Sequence, residues 1–276
     1  MQIFEFENEI AFIPEDDFDL VKIFECGQCF RWNMDENGVY TGVAMGKAAK
    51  LRKENDRVFI SGSMEDFRNI WYNYFDLDRN YKEIRHGLCI DEYMTKASDY
   101  GAGIRILNQD RWETLCSFII SQCNNIPRIK KIVETLCRCF GDKIELDGEE
   151  YFSFPDADKI AGLTVEDLAP LRCGYRAPYI LDAARAVSEG RLDLEALSEG
   201  TMEEAKQGLK SIHGVGDKVA NCAILFSLHK IDAFPIDVWI KRAIDEHYGK
   251  GFDPKIFGEY AGIAQQYMFY YQREEA

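Results

Sequence analysis

The stretch SIHGVGDKVANC, Ser211 to Cys222, sets a Gly-x-Gly turn between two apolar-periodic segments and follows it at once with a lysine. Upstream, Glu203 to Ile212 has helical spacing. Downstream, Val219, Cys222, Ala223 and Phe226 fall on one face of a second helix. Two helices joined by HGVGD form a helix–hairpin–helix candidate. Gly214 and Gly216 are free to take positive φ or to let another backbone approach closely. The amides at Gly214, Gly216 and the helix start would then face outward together, an array that binds a phosphate through N–H groups and the helix dipole. A C-cap glycine followed by an ordinary turn accounts for Gly-Val-Gly equally well, so the surrounding residues have to decide.

Lys218 is the first of them. It stands in the first helical turn, where the dipole disfavours a cation, and one turn before Cys222, so the two side chains share a face. A helix N-terminus and partial desolvation both favour the neutral amine, which is a nucleophile able to form Schiff bases. An isolated lysine at a helix start is more often simply solvated. Nineteen residues on, AFPIDVW places Asp237 after Pro235 in an apolar setting. A carboxylate there caps the helix DVWIKRAI, and the same group aimed back at Lys218 is suited to stabilising positive charge or moving protons.

The rest of the chain narrows the class. Its 276 residues, 46% hydrophobic and 13% aromatic, suffice for two or three packed lobes. No apolar run approaches the ~18 residues that span a bilayer, and MQIFEFENEI has no basic region ahead of an apolar core, so a cytosolic protein of a prokaryote is expected. Nine cysteines without a secretion signal read as reduced thiols. Cys26/Cys29 is a lone CxxC, the four histidines are scattered, and no cysteine follows Cys222, which excludes a C-terminal cysteine-ligated iron–sulfur cluster and leaves no metal expected. The net charge of −15 excludes a protein that coats nucleic acid by bulk charge.

Short runs rich in Phe, Val, Tyr and Ile, with a hairpin signal at Asn37-Gly38, fill the chain to about Tyr81 and close with a helix over MEDFRNIWYNYF. From about Glu83 the pattern turns helical, with Trp112, Leu115, Cys116 and Ile119 on one stripe. Pro127 opens the next helix, and a last helix covers Ile256 to Gln272. The expected fold is α+β: a small antiparallel β-sheet domain at 1–81 and an all-α, two-lobed body at 82–276, with the hairpin core at about 112–245.

The segment Leu209 to Ile244, with Lys218 and Asp237 in register, resembles the helix–hairpin–helix/Gly-Pro-Asp signature of the DNA glycosylase superfamily. CGQCFRW (Cys26–Trp32), YFDLD (Tyr74–Asp78), SQCNNIPRI (Ser121–Ile129), CGYRAPYI (Cys173–Ile180) and YAGIAQQYMF (Tyr260–Phe269) are similar to segments of the eukaryotic-type 8-oxoguanine DNA glycosylase/lyases. The likeness runs in order from about Phe18 to the C-terminus. It implies a small N-terminal domain of TBP-like fold, Lys218 and Asp237 as catalytic residues, and Gly27, Phe30, Cys222, Pro235, Gln265 and Phe269 around the extruded base. Gly27 would aim its carbonyl at N7, Cys222 and Phe269 would sandwich the base, and Gln265 would read its Watson–Crick edge. The DNA-binding set implied is Asn124, Asn125, Arg128, Tyr175, Arg176, Gly214, Gly216 and Trp239. The partner implied is duplex DNA containing 8-oxoguanine, bound by a monomer without cofactor, save a monovalent cation at the hairpin. Net acidity is tolerated if Lys218, Lys241, Arg242, Arg128, Arg172 and Arg176 gather around the cleft.

Two positions depart from the family. Cys123 replaces the first asparagine of an Asn-Asn-Asn tract, and a thiol has no amide's paired donor and acceptor, so strictness for cytosine opposite the lesion should relax. Trp239 stands where the eukaryotic members have a phosphate-contacting histidine. Two other readings are a non-catalytic hairpin DNA-binding module and a glycosylase for an alkylated purine. The first gives no reason for Lys218 and Asp237 to occur together, and the Gly27 loop and Gln265 speak against the second.

Overall fold

The computed structural model describes residues 1–274. Strands β1 (Gln2–Glu5), β2 (Glu9–Ile13), β3 (Trp32–Met34), β4 (Tyr40–Ala44), β5 (Lys47–Glu54) and β6 (Arg57–Ser61) form one antiparallel sheet in the order β1-β2-β6-β5-β4-β3. The register aligns Ile10 with Ile60 and Ile60 with Leu51, so one face carries a continuous row of buried β-branched and aliphatic residues. That face is covered by the helix Leu20–Glu25, whose Phe24 ring stacks on Trp32 at 4.6 Å, and by the segment Met64–Tyr74, whose Phe67 meets Phe12 at 5.3 Å. The Met64–Tyr74 segment is helical, as its pattern predicts, with a π turn over Phe67–Trp71 in its middle. Gly38 turns the hairpin between β3 and β4 at φ 79°.

The body is helical with one exception. Strands β7 (Lys143–Leu146) and β8 (Glu149–Phe152) pair as a hairpin through Asp147-Gly148, both at positive φ, so the expectation of an all-α body is corrected. Asp-Gly supplies the two left-handed residues that a two-residue hairpin turn requires. Pro127 is the second residue of its helix rather than the first, because Asn125 is the N-cap of Ile126–Phe140. The last helix likewise starts later than expected: a 3₁₀ segment, Pro254–Tyr260, contains the positive-φ Gly258 and turns the chain into Ala261–Glu274.

Two apolar clusters result. One lies under the sheet and includes Leu107 from the body's sequence. The other fills the helical region and includes Cys26 and Phe30, so the loop after Leu20–Glu25 is inserted into the helices. At the junction the buried Arg105 guanidinium pairs with Asp16 at 2.6 Å and donates to the Phe75, Asp76 and Arg79 carbonyls. The C-terminal helix packs closely on the hairpin's second helix at Gly262, where an added Cβ would lie 2.4 Å from Leu225. This approach brings Gln265 and Phe269, one and two turns on, over Cys222.

Candidate active site

The turn between the helices Met202–Lys210 and Asp217–Phe226 has Gly214 at φ 82°, where a Cβ would lie 2.3 Å from the Tyr179 ring. Gly216 is the N-cap of the second helix in ordinary extended geometry, with open space where a Cβ would stand. Only Gly214 therefore needs to be glycine for the fold. No side chain among the described residues caps the second helix, which leaves its first amides available to a ligand.

Lys218 projects from the second position of that helix. Its Nζ lies 3.2 Å from Ser121 Oγ and 5.2 Å from the centre of the Phe118 ring. Ser121 ends the helix Arg111–Ser121, so the negative end of one helix dipole faces Lys218 while the positive end of its own helix lies beneath it. The two influences oppose each other, a balance that Lys218's own helix does not reveal. Asp237 caps Val238–His247: Oδ1 accepts from the Trp239 and Ile240 amides at 3.0 and 2.9 Å. Its second oxygen, Oδ2, takes no hydrogen bond among the described residues.

Both side chains border a small cavity of about 60 Å³ lined also by Cys26, Gly27, Phe118, Cys222, Pro235, Gln265, Gln266 and Phe269. Burial pushes the Cys222 thiol up to about 11, with Lys218 opposing and Asp237 adding to the shift, so the pocket wall is a neutral thiol. Gln265 is buried, and its Oε1 has no hydrogen-bond partner among the described residues. A buried acceptor left unpaired costs about 1–3 kcal/mol, and a donor entering the pocket would remove that cost. Gly27 has φ 81°, and Phe269 packs against it: an added Cβ would lie 3.3 Å from the Phe269 ring. Phe30 is buried behind this wall, edge-on to Phe118 at 5.7 Å.

The Gly27 loop is fastened by residues that the sequence does not single out. Buried Gln28 donates to the Ile23 and Arg105 carbonyls and accepts from the Leu107 amide, all within 2.9 Å. Gln266 donates to the Cys26 carbonyl at 2.7 Å and Arg273 to the Glu25 carbonyl at 2.9 Å. No donor among the described residues takes the Gly27 carbonyl itself.

The pocket opens into a cleft of about 610 Å³ lined by Cys123, Asn124, Asn125, Val238, Trp239 and Arg273 among others. Cys123 is exposed with φ 46°. Asn124 donates to the Ile120 carbonyl at 3.1 Å, and Asn125 caps the next helix through the Arg128 amide at 3.0 Å, so both amides are engaged in shaping the loop. Tyr175 and Arg128 are exposed, the latter donating to the Arg172 carbonyl at 3.2 Å. Arg176 is not at the surface. It is buried under the Cys123 loop and donates to the Gln122, Cys123 and Cys173 carbonyls. Of the six basic side chains expected around the cleft, Lys218 is the one that lines it. Arg242 opens onto a separate cavity with Tyr93 and His247, its guanidinium 5.3 Å from the Trp239 ring, and Arg273 joins Lys218 in the cleft instead. Among the described residues no group of His, Cys, Asp or Glu could hold a metal ion, and no helix is long and apolar enough to cross a membrane.

Comparison with known proteins matches residues 10–115 to the N-terminal domain of 8-oxoguanine DNA glycosylase and residues 116–255 to the HhH-GPD superfamily of base excision DNA repair proteins. The N-glycosylase/DNA lyase of Saccharomyces cerevisiae is 32% identical over 86% of this chain and 70% of its own length. The 8-oxoguanine glycosylase/lyase of Clostridium acetobutylicum, solved with duplex DNA containing cytosine opposite 8-oxoG, is 40% identical, with a TM-score of 0.94 over 100% of this chain and 98% of its own. MBOgg1, solved with a low-affinity DNA ligand, is 44% identical, with a TM-score of 0.95 over 99% and 98% of the two chains. The chain thus belongs to the HhH-GPD superfamily of base excision DNA repair proteins and joins its catalytic domain to the N-terminal domain of the 8-oxoguanine DNA glycosylases.

Proposed function

We propose that this protein is a bifunctional glycosylase/lyase that extrudes 8-oxoguanine from duplex DNA, excises it through Lys218, and then breaks the strand at the resulting site. The observation that carries the reading is the convergence, on the lining of one cavity, of Lys218, Asp237, Gln265 with its unpartnered amide oxygen, and Gly27, whose carbonyl takes no donor among the described residues. 8-Oxoguanine carries a hydrogen on N7 where guanine has a lone pair. A carbonyl at Gly27 attracts the first and repels the second, while Gln265 Oε1 accepts from the donors on the base's Watson–Crick edge. Cys222 and Phe269 supply the two faces. Extrusion costs a few kcal/mol of stacking and pairing, which the pocket contacts and the hairpin's grip on the backbone offset.

In the reaction, neutral Lys218 Nζ forms a bond to C1′ as the bond from C1′ to the base nitrogen breaks, and the base leaves with the electron pair and takes up a proton. Asp237 stabilises the positive charge that develops on the sugar and accepts the proton released from Nζ. Opening of the sugar ring gives an imine between Nζ and C1′. Loss of a C2′ proton then expels the 3′ phosphate, with that C–O bond's electrons, in the β-elimination. A monovalent cation at the hairpin would be held by neutral turn carbonyls and would serve the phosphate grip. The protein acts as a monomer on this reading.

Cys123 supports a relaxed preference for the base opposite the lesion. Its thiol cannot offer an amide's two-sided hydrogen bonding, and Arg176 beneath it has its donors occupied by loop carbonyls. The test is incubation with 8-oxoguanine duplex and borohydride. A covalent adduct is expected for the native protein and none for Lys218→Gln, and an undiminished adduct in Lys218→Gln would overturn the assignment. Excision rates within about tenfold across the four opposite bases are expected, and a strong preference for cytosine would overturn the role given to Cys123.

A further inference from the structure

The Ser121 hydroxyl is the hydrogen-bond partner of Lys218 Nζ, at 3.2 Å, and no carboxylate among the described residues pairs with that amine. Ser121 Oγ also donates to the Phe118 carbonyl at 2.8 Å. A hydroxyl has one proton and two acceptor lone pairs. With its proton directed at Phe118, Ser121 can meet Lys218 only as an acceptor. One N–H of Nζ is therefore held toward the serine. The Phe118 ring, 5.2 Å away, occupies the adjoining side.

We infer that Ser121 is a positioning residue for the nucleophile, holding one N–H of Lys218 so that the lone pair of the neutral amine points away from the helix end and into the cleft mouth beside Asp237. This rests on the reading of Lys218 as the attacking group. An amine free to rotate about its last bonds would present its lone pair to C1′ only part of the time, and fixing it raises the rate without changing affinity for the duplex. A serine that only bonds back to the carbonyl three residues earlier, as helix-end serines commonly do, would satisfy the Phe118 contact and leave the Lys218 contact without consequence.

The variants Ser121→Ala, Ser121→Cys and Ser121→Thr separate the two. Single-turnover borohydride trapping on 8-oxoguanine duplex is measured beside equilibrium binding of the same duplex by fluorescence anisotropy. The alanine and cysteine variants are expected to trap about tenfold more slowly with binding unchanged within about twofold, and the threonine variant, which keeps the hydroxyl, to trap within about threefold of native. Cysteine matches serine closely in shape but is a weak acceptor, so recovery by cysteine to the threonine level would show a packing role and overturn the proposal, as would native-rate trapping by alanine. Lys218→Gln runs alongside. If it still forms the adduct, the nucleophile assignment fails and takes this inference with it. If its adduct is lost while Ser121→Ala traps at the native rate, only the role of Ser121 fails.

Discussion

At Asp237, which lines the pocket, the oxygen that accepts from the Trp239 and Ile240 amides is a helix cap, while its partner oxygen takes no hydrogen bond among the described residues. The two duties come apart under substitution. Asparagine is as good an N-cap as aspartate, so Asp237→Asn should leave the melting temperature near native and lower excision by about 10²-fold or more through loss of the charge. Asp237→Ala should lose about 1 kcal/mol of stability in addition. Equal stability loss in both, by thermal or urea denaturation, would remove the cap from the account. At Cys222, burial holds the thiol protonated up to about pH 11, so little thiolate exists near neutrality. Alkylation at pH 8, followed by peptide mass spectrometry, should modify exposed Cys123 and Cys139 and spare Cys222. These residues were readable as candidates because Lys218, Cys222 and Asp237 lie within one continuous segment whose local spacing places them together. Arg176 was not. Its sequence neighbours suggest a surface reader, and only the folded loop shows that it donates to the Gln122 and Cys123 carbonyls, more than fifty residues away.

The hairpin and the Gly27 loop are elements in which one backbone position carries the geometry. Gly214→Ala combines a left-handed φ with a clash against Tyr179, whereas Gly216→Ala meets neither obstacle. The first should destabilise the protein by more than about 1 kcal/mol and abolish duplex binding. The second should fold normally, with any loss confined to phosphate binding, and circular dichroism melts paired with anisotropy would tell them apart. In the Gly27 loop, Gln28→Ala deletes three donated bonds, to the Ile23 and Arg105 carbonyls and to Cys26 Sγ, and one accepted bond in a buried site. A cost of about 1–3 kcal/mol is expected, together with a smaller ratio of lesion to guanine binding, measured on matched duplexes. Periodicity made the sheet strands and the long helices legible, because each depends on residues within one turn or one alternation. The β7–β8 hairpin carried an equally local signal in Asp147-Gly148, flanked by strand-like residues, and reading that region as wholly helical missed it. The fastening of the Gly27 loop had no local signal, since Gln28 and Gln266 bond across 77 and 240 residues of chain.

For the molecule as a whole, a net charge of −15 argues against a grip on DNA by bulk charge, and Lys218 and Arg273 are the cations that line the cleft. The salt dependence of binding should therefore be shallow, with log K falling against log salt at a slope of about −3. A slope steeper than about −6, measured with Lys218→Gln to prevent turnover, would point to a basic surface doing the work instead. The closed pocket has a separate consequence. With Phe269 against Gly27, the cavity of about 60 Å³ holds roughly two waters, less than any purine needs. Entry of a base then requires Phe269 to move off Gly27, and affinity for any base is the intrinsic one reduced by the cost of that opening. Every base offered to the site meets that same penalty, but only one whose contacts exceed it stays long enough to react. Closure thus lowers affinity for every base alike, and a substitution that props the pocket open would strengthen binding of lesion and guanine by the same factor, leaving their ratio to the contacts inside the pocket.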